Sequence, residues 1–129
     1  MTPETLPLRV LVVDDEFLIR WSINQTLTQS GHTVVEAPDG ATAVRTLTDA
    51  AAPIDLVLLD YRLPDSNGLT LLATIRRLAP DSPVIMMTAF GTPEVIKGAL
   101  DLGVSQVLSK PFEMHDLPQL VRETHRQSR

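Results

Sequence analysis

Residues 8–16 read LRVLVVDDE, and residues 55–60 read DLVLLD. In both stretches a short apolar run ends directly in aspartate. An apolar run without alternating polar residues is typical of a strand that is buried on both faces, as in a parallel sheet with helices on both sides. These two stretches therefore predict an α/β fold with acidic side chains where two of its strands end.

Similar short, β-rich runs recur along the chain and alternate with amphipathic segments. This alternation predicts five βα units around a parallel sheet, a doubly wound fold with helices on both faces. The five predicted strands are Leu8–Val13, Thr33–Ala37, Asp55–Asp60, Pro83–Thr88 and Ser105–Ser109.

Helix-start signals stand between the predicted strands. Each pairs a capping side chain with a glycine, or with a first-turn proline, ahead of a periodic segment. The three pairs are Asp39-Gly40, Asn67-Gly68 and Thr92-Pro93. Two helices have a predicted core stripe, Ile19, Ile23 and Leu27 in the first and Leu117, Leu120 and Val121 in the last, from about Met114 to Arg126.

Composition limits the class of protein. A length of 129 residues predicts one domain over 1–129, with a core at about 8–122 and flexible ends at 1–7 and 125–129. Without cysteine there is no disulfide or thiolate metal site, and the net charge of −5 argues against direct nucleic-acid binding. No apolar run exceeds four residues and no secretory signal is visible, so we expect a cytoplasmic chain without a membrane span.

Polar side chains follow four of the predicted strands. Asp14 and Asp15 follow the first strand, Asp60 ends the third, Thr88 ends the fourth and Lys110 follows the fifth. The carboxyl ends of parallel strands form one edge of an open α/β sheet, where chemistry collects. Each residue alone has an ordinary explanation, as a helix cap, a β-former or a solvated charge, but the joint order predicts a site.

Clustered carboxylates at such an edge need a positive partner. Two like charges about 4 Å apart cost about 4 kcal/mol at an effective dielectric near 20. Mg²⁺ prefers oxygen ligands and binds through one or two carboxylates, phosphate oxygens and water. Asp60 could then act as a nucleophile that forms an acyl phosphate, with Lys110 and Thr88 contacting the phosphoryl oxygens.

These residues closely resemble the receiver domains of two-component response regulators. The resemblance runs from about Leu8 to Arg122. It rests on VLVVDDE at 10–16, LDYRLP at 59–64 with a glycine at 68, MTA at 87–89 and KPF at 110–112. It implies the flavodoxin-like (βα)5 fold with strand order 2-1-3-4-5, and a signalling switch rather than a turnover enzyme.

The resemblance also implies a role for each site residue. Asp60 is the phosphoacceptor, and Thr88 and Lys110 bind the phosphoryl group. Mg²⁺ (or Mn²⁺) is held by Asp15, by Asp60 and by the backbone carbonyl of Arg62, with Asp14 acting through water. Ala89 leaves room beside the acceptor, and the Lys110-Pro111 peptide bond is expected to be cis.

One position departs from the family pattern. Many receivers have an aromatic residue three positions before the site lysine, and its ring changes rotamer with phosphorylation; this chain has Val107 there. Thr88 could couple to the fourth helix without that ring, Phe90 could substitute for it in part, or the output could be altered.

The expected partners follow from the same resemblance. They are a sensor histidine kinase or phosphotransfer protein, and an output domain or second copy bound through the fourth helix, fifth strand and fifth helix. Phe17, Leu18 and Trp21 point away from the first helix's core stripe, and form either a kinase-docking patch or scattered surface hydrophobes. We expect His32, His115 and His125 on the surface.

Two other classes of function are alternatives to this switch. A phosphatase of the haloacid-dehalogenase type needs a second aspartate two residues after its nucleophile, where this chain has Arg62. A degenerate receiver acting only as an interaction module would have an incomplete acidic site. A stand-alone regulator and a receiver within a longer protein remain equally compatible with the sequence.

Overall fold

The computed structural model describes residues 7–49, 51 and 53–128, which form alternating strands and helices. The strands are β1 (Arg9–Val13), β2 (Thr33–Ala37), β3 (Leu56–Asp60), β4 (Val84–Thr88) and β5 (Gln106–Ser109). The helices are α1 (Phe17–Gln29), α2 (Gly40–Thr48), α3 (Gly68–Leu78), α4 (Pro93–Asp101) and α5 (Leu117–Gln127), the last preceded by a 3-10 turn at Met114–Asp116.

The five strands form one parallel sheet in the order β2-β1-β3-β4-β5, which confirms the predicted fold and strand order. Val13 pairs with Leu59, Asp60 with Met87 and Thr88 with Ser109. This register brings the carboxyl ends of β1, β3, β4 and β5 to one edge of the sheet.

Two apolar cores cover the two faces of the sheet. On one face, alternate strand residues such as Leu11 and Leu59 pack with α2, α3 and α4; on the other, residues such as Val12 and Leu58 pack with α1 and α5. Every residue of β3 and β4 is buried, because helices cover both faces of these central strands. The unbroken apolar runs of the sequence thus have the predicted cause.

The predicted helix starts are confirmed at the level of hydrogen bonds. Asp39 accepts from the Thr42 amide, Asn67 from the amides of the first turn of α3, and Thr92 from the Val95 amide. Four of the strands begin one residue later than predicted, a normal uncertainty at element ends.

The structure describes part of each terminal segment. Residues 1–6 and 129, which we expected to be flexible, lie outside the described residues. Residues 125–127 are helical, because α5 continues to Gln127. Among the described residues, no helix combines the length and the apolarity that crossing a membrane requires.

One histidine prediction is wrong. His32 is buried between α1 and β2, where its Nδ1 accepts a hydrogen bond from the Leu8 amide at 3.0 Å. His115 is exposed as predicted, and His125 is half-buried on α5. No local pattern indicates the His32 contact, because Leu8 is 24 residues away.

Candidate functional site

The carboxyl edge of the sheet brings together the side chains that the sequence analysis selected. Asp14 is fully buried behind the edge, and Asp60 and Thr88 are only 5% and 3% exposed. A cleft of about 380 Å³ opens at the same edge. Its lining residues are Asp15, Glu16, Asp60, Arg62, Leu63, Pro64, Thr88, Ala89 and Lys110.

Lys110 makes the central ionic contacts of the cleft. Its Nζ lies 3.0 Å from Asp14 Oδ2, 3.2 Å from Glu16 Oε1 and 3.4 Å from Asp60 Oδ1. Burial alone would lower the pKa of Lys110, but the hydrogen bond and charge of Asp14, with the charge of Asp60, raise it. The ammonium therefore stays charged and neutralises part of the acidic cluster.

Asp60 is the carboxylate most affected by its surroundings. Burial, followed by repulsion from Asp14, raises the pKa of Asp60 to about 6, against the lowering effects of Lys110 and the Arg62 amide. The Arg62 amide donates to Asp60 Oδ1 at a long 3.4 Å. A single lysine thus leaves excess negative charge at this position.

The acidic cluster fits a divalent metal ion. Asp14, Asp15 and Asp60 each offer a carboxylate oxygen, and these three oxygens lie within 4.8 Å of one another. The donors are all oxygen, which is the ligand set of Mg²⁺ and related hard cations. The raised pKa of Asp60 also fits a cation at this position, because a cation would offset the desolvation of Asp60 and its repulsion from Asp14.

Thr88 and the peptide bond after Lys110 complete the edge. Thr88 Oγ1 accepts from the Phe90 amide at 3.3 Å, while the Thr88 carbonyl accepts from the Lys110 amide at 2.9 Å. The second bond ties the end of β4 to the start of the Lys110 loop. The Lys110-Pro111 bond is cis, as the resemblance implied.

The loop after β1 is held by residues that the sequence analysis did not assign. Arg20 Nη1 donates to the Asp14 carbonyl, and Arg20 Nε pairs with Glu36 Oε1, both at 2.7 Å. No sequence signal links Arg20 with Glu36. Glu16, in contrast, belongs to the acidic run of residues 14–16, and that run is the sequence signal for its contact with Lys110.

Val107 occupies the β5 position where many receivers have an aromatic residue. Val107 is half-buried and packs against the core beneath α2, α3 and α4. The Phe90 ring is 72% exposed and lies 5.9 Å from the Arg62 guanidinium carbon. The Phe90 ring therefore faces Arg62 in the loop after β3 in this structure.

A family model described as the response regulator receiver domain matches residues 10–122. The chain belongs to this family. The chemotaxis protein CheY of Treponema pallidum is 35% identical over 112 residues, which cover 86% of this chain and 78% of that protein. The similar solved structures include a CheY-like receiver from Methanospirillum hungatei, with a TM-score of 0.89, 28% identity and coverage of 95% of this chain and 97% of that one.

Some relatives are longer than this receiver domain. The transcriptional regulatory protein PdtaR of Mycobacterium tuberculosis is 36% identical over 115 residues, which cover 87% of this chain but 54% of PdtaR. The chain therefore spans about half the length of that relative. Receiver domains are signalling proteins of two-component systems that work with kinases, phosphotransferases and output domains.

Proposed function

We propose that this receiver domain accepts a phosphoryl group on Asp60 and acts as a phosphorylation switch, not as a turnover enzyme. The observation that carries the proposal is the meeting of Asp60 with Lys110, at 3.4 Å, inside a cleft that also holds Asp15 and Thr88. The donor in this proposal is the phosphohistidine of a sensor kinase or of a phosphotransfer protein.

In the transfer, an Asp60 carboxylate oxygen attacks phosphorus while the bond from phosphorus to the histidine nitrogen breaks. Lys110 donates to one phosphoryl oxygen, and the Thr88 hydroxyl, whose oxygen accepts from the Phe90 amide in this structure, donates its proton to another. Asp15, Asp60 and the Arg62 carbonyl would hold Mg²⁺ or Mn²⁺, and Asp14 would support the ion through water. When bound, the metal neutralises the charge that accumulates on the phosphoryl oxygens.

The transferred group adds about −1.5 to −2 charges and new acceptor oxygens at Asp60. Moving a two-state domain from 1:99 to 99:1 takes about 5.5 kcal/mol of differential stabilisation. Charge-assisted hydrogen bonds from Lys110 and Thr88 contribute to that difference. Because Thr88 lies four residues before the cap of α4, its movement reaches that helix directly.

Replacing the acceptor tests this function. Asp60→Ala is expected to abolish labelling by acetyl phosphate, and binding of beryllofluoride, in the presence of Mg²⁺. Asp81→Ala is the matched control, because it removes an exposed aspartate for which the described residues give no side-chain hydrogen bond. Labelling of Asp60→Ala at the wild-type level would refute the assignment.

The apolar surface of α1 is proposed as the docking site of the phosphodonor protein. Phe17, Leu18 and Trp21 are 62%, 73% and 49% exposed, and all three lie within five residues of Glu16 at the cleft. Trp21→Ala should slow transfer from the phosphorylated kinase while labelling by acetyl phosphate stays unchanged. Leu78→Ala, at an exposed leucine on α3, is the control; equal slowing in both variants would argue against a specific patch.

The output surface is proposed to be the face formed by α4, β5 and α5. Only Ala99 of α4 is buried, so few side chains of this helix are enclosed by the core. Leu100 is 52% exposed and provides apolar surface for a partner. The partner is an output domain or a second copy of the chain. Measurements of molecular mass with and without beryllofluoride test whether a second copy binds. A mass that stays unchanged at high protein concentration would rule out this dimer.

The competing functions have weaker support. A haloacid-dehalogenase-like phosphatase lacks its second aspartate, because Arg62 occupies that place. A degenerate interaction module would lack part of the site, whereas all the expected side chains line the cleft or lie directly behind it. Steady turnover of a phosphate ester would favour the phosphatase. Failure to take up any phosphoryl group would favour the interaction module.

A further inference from the structure

The loop between β3 and α3 contacts the start of α2 through one carboxylate. Asp65 Oδ1 accepts from the Gly40 amide at 2.9 Å, and Asp65 Oδ2 accepts from the Ala41 amide at 3.1 Å. These are the first two amides of α2, which have no acceptor within their own helix. Their hydrogen bonds lower the pKa of Asp65, so the clamp is a carboxylate at neutral pH.

The same loop forms one wall of the acidic cleft. Arg62, Leu63 and Pro64 line the cleft, and Asp65 follows them directly. The loop is tight, because Leu63 and Ser66 form an antiparallel bridge and the Ser66 hydroxyl donates to Asp65 Oδ1 at 2.9 Å. A displacement of Asp65 would therefore move the wall that faces Asp60.

Gly40 is the counterpart of this clamp on α2. A Cβ atom at position 40 would overlap the Ser66 hydroxyl and come within 3.2 Å of Asp65 Oδ1. The atoms in the way are side-chain atoms of the clamp itself, because the Ser66 hydroxyl donates to Asp65. A methyl group at position 40 would therefore displace that hydroxyl and crowd the Asp65 carboxylate without any change in charge.

We propose that Asp65 is a positioning residue of this site: it clamps the 62–64 wall of the cleft onto the first turn of α2 and thereby sets the affinity of the acidic cluster for a divalent cation. The proposal rests on the proposed function, in which that cation assists phosphoryl transfer. Metal sites depend on the groups that orient their ligands, and loss of such a group commonly weakens binding by about 10-fold or more.

Mg²⁺ titration of the full chain by calorimetry tests the proposal with three variants. Asp65→Ala removes the clamp, and Gly40→Ala displaces it sterically with no charge change. Asp39→Ala is the matched control: Asp39 is a neighbouring carboxylate at the same helix start, but it accepts from Thr42 of its own helix and holds no loop. Thermal melts of all three without metal report the loss of stability separately.

The expected result is Mg²⁺ binding about 10-fold weaker in Asp65→Ala and Gly40→Ala, and within about twofold of wild type in Asp39→Ala. Equal weakening in Asp65→Ala and Asp39→Ala would overturn the clamp in favour of a general charge effect. Wild-type affinity in Asp65→Ala would overturn it outright. Since Asp65 is exposed, its variant is expected to fold, and the comparison with Asp39→Ala decides the matter even without Gly40→Ala.

The proposed function fails separately from this inference. If the wild-type chain binds no Mg²⁺, or if Asp60→Ala binds it as tightly as wild type, the proposed metal-assisted transfer is wrong. If the wild type binds Mg²⁺ through Asp60 and Asp65→Ala binds it equally well, the clamp alone is wrong.

Discussion

Lys110 has three ammonium protons, and three carboxylates lie within 3.4 Å of its Nζ: those of Asp14, Glu16 and Asp60. In the proposed function, a phosphoryl group on Asp60 accepts a hydrogen bond from one of these protons. Asp14 is fully buried and stays in place, whereas the Glu16 side chain is 60% exposed and can turn to solvent. Of the three carboxylates, Glu16 is therefore the ionic partner that separates most readily from Lys110.

This competition predicts the effect of Glu16→Gln. At saturating Mg²⁺, the variant should bind beryllofluoride more tightly, by up to about fivefold, because an exposed ion pair contributes at most about 1 kcal/mol. The measurement is a fluoride titration monitored by NMR or by the fluorescence of Trp21. Glu123→Gln on α5 makes the same charge change away from Lys110; an equal gain there, or none at Glu16, would contradict the prediction.

At the scale of elements, α3 depends on a close approach at its first residue. A Cβ at Gly68 would overlap the carbonyl oxygen and the ring of Tyr61. The backbone of Tyr61 has little freedom to move away, because its amide donates to the Met87 carbonyl of β4 at 2.8 Å. The junction of β3 and α3 is thus built around a glycine.

Gly68→Ala should therefore lower the free energy of unfolding by about 1–3 kcal/mol, the usual cost of overpacking. Gly98→Ala in α4 is the contrasting variant. Its Cβ would lie 2.9 Å from a terminal methyl of Leu69, which can rotate, and alanine favours a helix interior by about 1 kcal/mol. Urea denaturation should find Gly98→Ala much the less harmful, and equal losses would refute this account.

At the scale of the whole molecule, stability should depend on pH through His32. Burial, and then the charge of Arg122, lowers the pKa of His32 below 6.5. Nδ1 accepts from the Leu8 amide, so the folded state favours the neutral ring. The unfolded chain therefore binds more protons below pH 6.5, and His32 costs stability progressively as the pH falls from there toward its folded pKa.

His32→Asn keeps an acceptor for the Leu8 amide but does not titrate. Compared with this variant, the wild type should lose free energy of unfolding between pH 7 and pH 5, by no more than about 1.4 kcal/mol per pH unit. Asp60, with its pKa raised to about 6, contributes with the opposite sign in both proteins and cancels in the difference. The control His115→Asn, at an exposed histidine, keeps His32 and should therefore lose free energy of unfolding in parallel with the wild type. Parallel curves for His32→Asn and wild type would disprove the role of His32.

Local sequence determined the elements of this protein. Buried strands, helix caps and core stripes depend on residues a few positions apart, so their patterns are legible in the chain, as at Asp39 with Thr42. The polar residues at the strand ends were legible for the same reason, because a parallel sheet gathers its carboxyl ends at one edge. The order of the strands came from the family resemblance, since periodicity does not encode it.

Only the tertiary structure decided which side chains touch. Lys110 meets Asp14 across 96 residues, Asp65 reaches Gly40 across 25, and His32 is buried by its contact with Leu8. Each contact depends on how segments far apart in the chain pack against one another. A pattern of neighbouring residues does not encode that packing. The sequence by itself therefore specified the strands, the helices and the acidic edge, while packing between distant segments set the ion pairs, the loop clamp and the buried histidine.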